Sequence, residues 1–122
     1  MSRILMIDDE ESLLNSIGGF LKVKGNEVFL SPDGKAGIEM IKEKSPEILL
    51  LDLHLKDGPS GIQILKLAKM INPDIKVVIF TGFGEEEETR KTCMDLGASA
   101  FLSKPTSLKI VAETIDKISE GK

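Results

Sequence analysis

The chain has 122 residues, of which 41% are apolar and 30% charged, proportions that suit one globular domain and exclude both disorder and two comfortable domains. A net charge of -4 and a sequence pI of about 5.1 exclude a basic nucleic-acid-binding stripe as the main purpose. Cys93 is the sole cysteine, so neither an intrachain disulfide nor a cysteine-rich metal site can form.

A strand begins within three residues of Met1, which leaves no room for a signal peptide, and no apolar run approaches the roughly 20 residues of a membrane span. The expectation is a cytoplasmic, non-membrane protein. The first strand is the apolar run 4–7. Leu13, Leu14, Ile17, Phe20 and Leu21 follow at helical spacing, and Gly25 is a helix stop. A second strand covers 27–30. Ser31, Pro32, Asp33 and Gly34 close it with turn and N-cap types, and a second helix runs over 35–44.

Pro46 leads into a third strand, 48–51. The stretch 56–61, with Gly58, Pro59 and Gly61, is the richest turn signal in the chain. Ile62, Leu65, Ala68 and Ile71 then mark a helical face, ended by Asn72 and Pro73 before a fourth strand over 77–80. The fourth helix, 85–96, has a weak apolar face made of Cys93, Met94 and Leu96. Its acidic start and basic continuation follow the helix dipole. A fifth strand covers 100–102. Leu108, Val111, Ile115 and Ile118 line one side of the last helix, with Thr106 or Ser107 as N-cap.

Strands that alternate with helices predict a doubly wound α/β domain of the flavodoxin-like (βα)5 kind, with a five-stranded parallel sheet of order 2-1-3-4-5. Ligands bind such sheets beyond the carboxyl ends of the strands, where strands 1 and 3 are neighbours. Polar groups follow the apolar runs at those ends: Asp8 and Asp9, Asp52, Thr81 and Lys104. Three carboxylates, a hydroxyl and an ammonium gathered in one crevice suit one hard divalent cation and one phosphoryl group. Asp9 and Asp52 are the candidate Mg²⁺ ligands. Asp52 is also the candidate nucleophile, giving an aspartyl phosphate whose oxygens Mg²⁺, Lys104 and Thr81 would neutralise.

The ordered set Asp8-Asp9-Glu10, Asp52, Thr81-Gly82 and Lys104-Pro105 resembles a response-regulator receiver domain of two-component signalling, over essentially the whole chain. The resemblance implies that Asp52 accepts phosphate from a histidine kinase or phosphotransfer protein. It further implies that Asp9 ligates Mg²⁺ (or Mn²⁺ in its place), with Asp8 acting through water and the His54 backbone carbonyl as a further ligand. Thr81 and Lys104 would grip the phosphoryl group, Gly82 would keep the entrance clear, and the Lys104-Pro105 bond would be a candidate for cis. Phe101 takes the aromatic switch position, and helix 4, strand 5 and helix 5 would present the output surface to a downstream protein or an attached output domain, without direct nucleic-acid contact.

The chain departs from the family pattern after Asp52. Lys56 stands where many relatives have proline, and the interval to Gly61 is one residue longer than the commonest form. The charged set of dimerising DNA-binding regulators is not evident in helices 4 and 5. His54 and Phe83, each two residues beyond a site residue, flank the expected path of attacking water.

Taken singly, most of these residues have ordinary readings. One aspartate before a helix is usually an N-cap, Lys104 would usually be solvated, and Thr81 could simply end a strand. Asp52 has no equally good ordinary role, because it closes a fully apolar run. Two rival functions are weighed. A Mg²⁺-dependent aspartyl-phosphate phosphatase-like enzyme wants Asp-x-Asp, whereas Asp52 is followed two positions on by His54 and Asp8 by Glu10. A constitutive receiver-like binding module would not need every site residue. The expected activity is limited to the domain's own phosphorylation and slow dephosphorylation.

Overall fold

The computed structural model describes residues 2–56, 58–82, 87–104 and 106–120. Expectations that fall on Phe83, Glu85, Glu86 and Pro105, including the Lys104-Pro105 peptide bond, lie outside the described residues.

The elements alternate strictly: β1 (Arg3–Ile7), α1 (Glu11–Val23), β2 (Glu27–Ser31), α2 (Gly34–Lys44), β3 (Ile48–Leu51), α3 (Gly61–Ile71), β4 (Lys76–Gly82), α4 (Glu87–Asp95), β5 (Ala100–Lys104) and α5 (Leu108–Glu120). The strands form one parallel sheet in the order β2-β1-β3-β4-β5, as the alternation predicts. Local chemistry sets the helix starts. Asp33 caps α2 by accepting the Ala36 N–H at 2.8 Å, and Ser60 with Gln63 forms a capping box on α3. Of the two candidates for α5 it is Ser107 that caps, through Oγ at 3.1 Å from the Ile110 N–H. Gly25 follows α1 at φ 98°, a conformation that costs glycine little.

The strands send alternate side chains to two faces. On one face Leu5, Ile7, Leu49, Leu51, Val77 and Ile79 pack under α2, α3 and α4; on the other Ile4, Met6, Ile48, Leu50, Val78 and Phe80 pack under α1 and α5. Covered on both faces, the central strands read as continuous apolar runs.

Three helical faces differ in detail from the sequence reading. In α3 the buried side chains are Ile64, Leu65 and Ala68, with Ile62 half-buried and Ile71 exposed; the helix starts at Gly61, close against the backbone of Asp52 and Leu53. In α5 Val111, Ala112 and Ile115 are buried, and Leu108 is exposed in the first turn. In α4 Cys93 is fully buried and Leu96 half-buried, but Met94 is exposed, so a single thiol side chain is this helix's deep anchor. Among the described residues no helix is long and apolar enough to cross a membrane.

Candidate functional site

The sheet register builds the site. Ile7 pairs with Leu51, and Leu51 with Ile79, so the residues just beyond them emerge at one level of the carboxyl edge. Asp8 and Asp52 are the first of these. β4 and β5 run further, pairing Thr81 with Ser103 and Gly82 with Lys104. That overhang brings Thr81 and Lys104 over the two carboxylates.

Asp52 is 5% exposed and is held from three sides. Its Oδ1 accepts the His54 N–H at 3.1 Å and the Thr81 hydroxyl at 3.2 Å, while Lys104 Nζ lies 3.6 Å from Oδ2. Asp8 is 1% exposed; its Oδ1 accepts the Glu10 N–H at 2.9 Å, and its Oδ2 lies 2.7 Å from Lys104 Nζ. Asp9 is half-buried and accepts the Lys56 N–H at 3.1 Å. Asp8, Asp9 and Asp52 can each offer one carboxylate oxygen with all three atoms within 4.8 Å of one another.

Burial is the dominant influence on Asp8 and pushes its carboxyl above the usual carboxylate range. The Lys104 bond and the Glu10 N–H pull the other way without cancelling it, and the Asp52 charge adds to the rise. For Lys104 burial works against the ammonium, but the bond to Asp8, the charges of Asp8 and Asp52, and Glu10 outweigh it; the ammonium is held above its ordinary value. Among the described residues, one cation thus stands against three clustered carboxylates. A hard divalent cation, which prefers oxygen donors, fits the surplus of negative charge.

The remaining site candidates lie around this core. Thr81 is fully buried with its hydroxyl already turned to Asp52. Gly82 is exposed, and among the described residues a Cβ there would meet nothing within 4 Å. The His54 side chain is exposed. Phe101 is half-buried, with the Arg90 guanidinium 5.8 Å from its ring centroid.

Sequence reasoning missed four contacts. Glu10 reaches Lys104 at 3.4 Å, and Lys104 also lies 5.5 Å from the Phe80 ring centroid. Glu10 follows two aspartates directly, which is a usable signal for the first of these. Arg90 over Phe101 and the Lys56 N–H on Asp9 have none, because they depend on the placement of a helix and of a loop backbone. The sequence reading also treated Gly61 as a turn residue only. A Cβ at Gly61 would lie 2.4 Å from Leu53 Cα and 2.6 Å from the Asp52 carbonyl oxygen, so the bare α-carbon lets α3 press onto the backbone of the acidic residue.

A family profile described as "Response regulator receiver domain" matches residues 4–116. The chain is 27% identical to sporulation initiation phosphotransferase F of Bacillus subtilis (strain 168), covering 94% of this chain and 91% of that protein. It is 31% identical to the response regulator protein VraR of Staphylococcus aureus (strain NCTC 8325 / PS 47), covering 98% of this chain but only 57% of VraR. The crystal structure of a CheY-like response regulator receiver domain protein from Methanospirillum hungatei JF-1 superposes with a TM-score of 0.91 at 27% identity, covering 97% of this chain and 93% of that one. With the ordered acidic, hydroxyl and lysine positions on the edge of a 2-1-3-4-5 sheet, the chain belongs to the response regulator receiver domain family of two-component systems.

Proposed function

We propose that the chain is a phosphoacceptor switch in which Asp52 takes a phosphoryl group from the phosphohistidine of a sensor histidine kinase or phosphotransfer protein. The observation that carries this reading is the surround of Asp52, a buried carboxylate with the Thr81 hydroxyl at 3.2 Å, Lys104 Nζ at 3.6 Å and two further carboxylates beside it. An Asp52 carboxylate oxygen forms the new P–O bond as the P–N bond of the donor breaks, and the bonding pair leaves with the imidazole. Lys104 supplies a charge and Thr81 a hydrogen bond to the oxygens of the arriving group. Mg²⁺, or Mn²⁺ in its place, held by Asp9, Asp52 and the His54 carbonyl with Asp8 acting through water, would neutralise phosphoryl charge.

The turnover of such a domain is limited to its own phosphorylation and slow hydrolysis, with His54 and Phe83 bordering the access of water. The output is a shift of populations over α4, β5 and α5. A new dianion competes with Asp52 for the Thr81 hydroxyl, Phe101 changes rotamer under Arg90, and α4, anchored deeply by Cys93 alone, adjusts. The surface so altered serves a downstream protein or an attached output domain, in a cytoplasmic setting. Residues 1–122 form one receiver domain, whether it stands alone or within a longer protein.

The test is intact mass after incubation with Mg²⁺ and acetyl phosphate. One added phosphoryl group on the wild type and none on Asp52→Asn is expected. An unmodified wild type, or an equally modified variant, would overturn the assignment.

A further inference from the structure

Asp8 and Asp52 have charged and polar partners from the sheet edge itself, whereas the donor that the described residues offer Asp9 is the backbone N–H of Lys56, at 3.1 Å from Oδ2. Asp9 is also the half-buried member of the trio, while its two neighbours are buried. Its orientation therefore depends on a loop rather than on a strand.

That loop is itself seated. Leu55 is half-buried against the core cluster beneath α2 and α3. Gly34, the first residue of α2, leaves room for it: a Cβ there would lie 3.4 Å from Leu55 Cδ1 and 3.2 Å from the Pro59 carbonyl oxygen. At the far end, Gly61 donates to the Leu53 carbonyl at 3.2 Å and presses on its backbone. With Leu55 seated directly before it, the Lys56 N–H has a set direction. Proline at this position would carry no N–H and could not make the bond.

Resting on the divalent-cation reading of the acidic cluster, we infer that Lys56 is a positioning residue for the metal site. Its backbone N–H holds one Asp9 oxygen, which keeps the carboxylate turned toward Asp8 and Asp52. The Lys56 side chain, exposed to solvent, is not the active part. Donors that orient a metal-ligating carboxylate from outside typically alter metal affinity by about 10-fold or more when lost. The post-β3 loop and the metal are thereby linked: an ordered loop presents a preorganised Asp9, and an occupied site stabilises the ordered loop.

The test compares Lys56→Ala with Lys56→Pro. Both lose the ammonium, and only proline loses the N–H. Isothermal titration with Mn²⁺ alone, supported by electron paramagnetic resonance of free Mn²⁺, should place Lys56→Ala close to wild type and Lys56→Pro about 10-fold weaker than Lys56→Ala. Because proline also restrains Leu55, a semisynthetic chain with an ester in place of the Leu55–Lys56 amide supplies a second variant, and it should weaken Mn²⁺ binding in the same direction. In the wild type, an NMR coupling across the hydrogen bond between Lys56 ¹⁵N and Asp9 ¹³Cγ is expected. Mn²⁺ binding by the wild type with equal affinity in the alanine and ester forms would overturn the Lys56 role and leave the metal reading intact. No Mn²⁺ binding by the wild type would overturn both.

Discussion

The Thr81 hydroxyl donates to Asp52 Oδ1 across 3.2 Å, tying the overhanging end of β4 to the residue that closes β3. The hydroxyl proposed to donate to the phosphoryl oxygens is thus in place before any phosphoryl group arrives on Asp52, and the preorganisation belongs to the strand register. Removing a preorganised donor of this kind costs about 100-fold in rate. Thr81→Ala should therefore take up phosphate from acetyl phosphate about 100-fold more slowly than wild type, and Thr81→Ser should stay near it, as followed by intact mass against time.

Asp8 carries a cost in the metal-free fold. The folded chain holds the Asp8 proton more tightly than the unfolded chain does, so on Asp8's account stability falls as pH rises from 3.8 through its raised value. Asp8→Asn should gain stability relative to wild type in the metal-free protein at neutral pH. The advantage should shrink as pH falls through that window. With saturating Mg²⁺ the order should reverse. Urea denaturation at several pH values, with and without Mg²⁺, measures all three outcomes.

Lys104 has the opposite linkage. Its folded value lies above 10.5, so its contribution is full below 10.5 and is lost as pH rises through the raised value. Wild type should lose stability above about pH 10 more steeply than Lys104→Met, which has no ammonium to lose. Parallel denaturant titrations across the alkaline range measure the difference in slope.

Two glycines separate close approach from open space. Gly61→Ala places a methyl against the backbone of Asp52 and Leu53, which cannot give way as a side-chain tip can; a loss of about 2 to 4 kcal/mol is expected. Gly19 lies within α1, and among the described residues nothing lies within 4 Å of a Cβ there. Gly19→Ala should gain about 0.5 to 1 kcal/mol from helix propensity. Chemical denaturation of both variants checks the contrast.

Cys93 is the fully buried residue of α4, so its thiol becomes reactive only when that helix lifts from the core. Labelling by a thiol reagent should be slow in the resting protein and several-fold faster with the beryllofluoride and Mg²⁺ adduct, a phosphoryl mimic. Equal rates would count against α4 as the moving part. Reaction at the sole thiol can be read by mass.

The sheet and its order were legible because buried parallel strands write their pattern as apolar runs closed by polar residues. Asp8 and Asp52 were legible for the same reason, each being the polar residue that ends such a run. The true length of β4 and β5 was not. Thr81, Gly82, Ser103 and Lys104 break the apolar pattern, yet their backbones continue the ladder, and hydrogen bonding between backbones leaves no trace in side-chain character. The rotated face of α3 escaped for a related reason. Period alone allows Ile62 and Ile71 on the buried side, but the helix begins with Gly61 against the backbone of Asp52 and Leu53, a close approach that periodicity does not register. The Lys56 N–H on Asp9 is a pure backbone donor, common to every residue type but one.

The pressure of α3 on the Asp52 peptide gives the site a hard wall on one side. Gly61 has already brought the two backbones as near as they can come, so under the proposed phosphorylation the Asp52 backbone would have no room to move toward α3. Across the sheet from β3 come the end of β4, then Phe101 on β5 under the Arg90 guanidinium, and α4, moored by Cys93 on the same face as α3. On the proposed phosphoacceptor reading, strain entering at Asp52 would meet a stiff contact on the α3 side and a softer path toward α4.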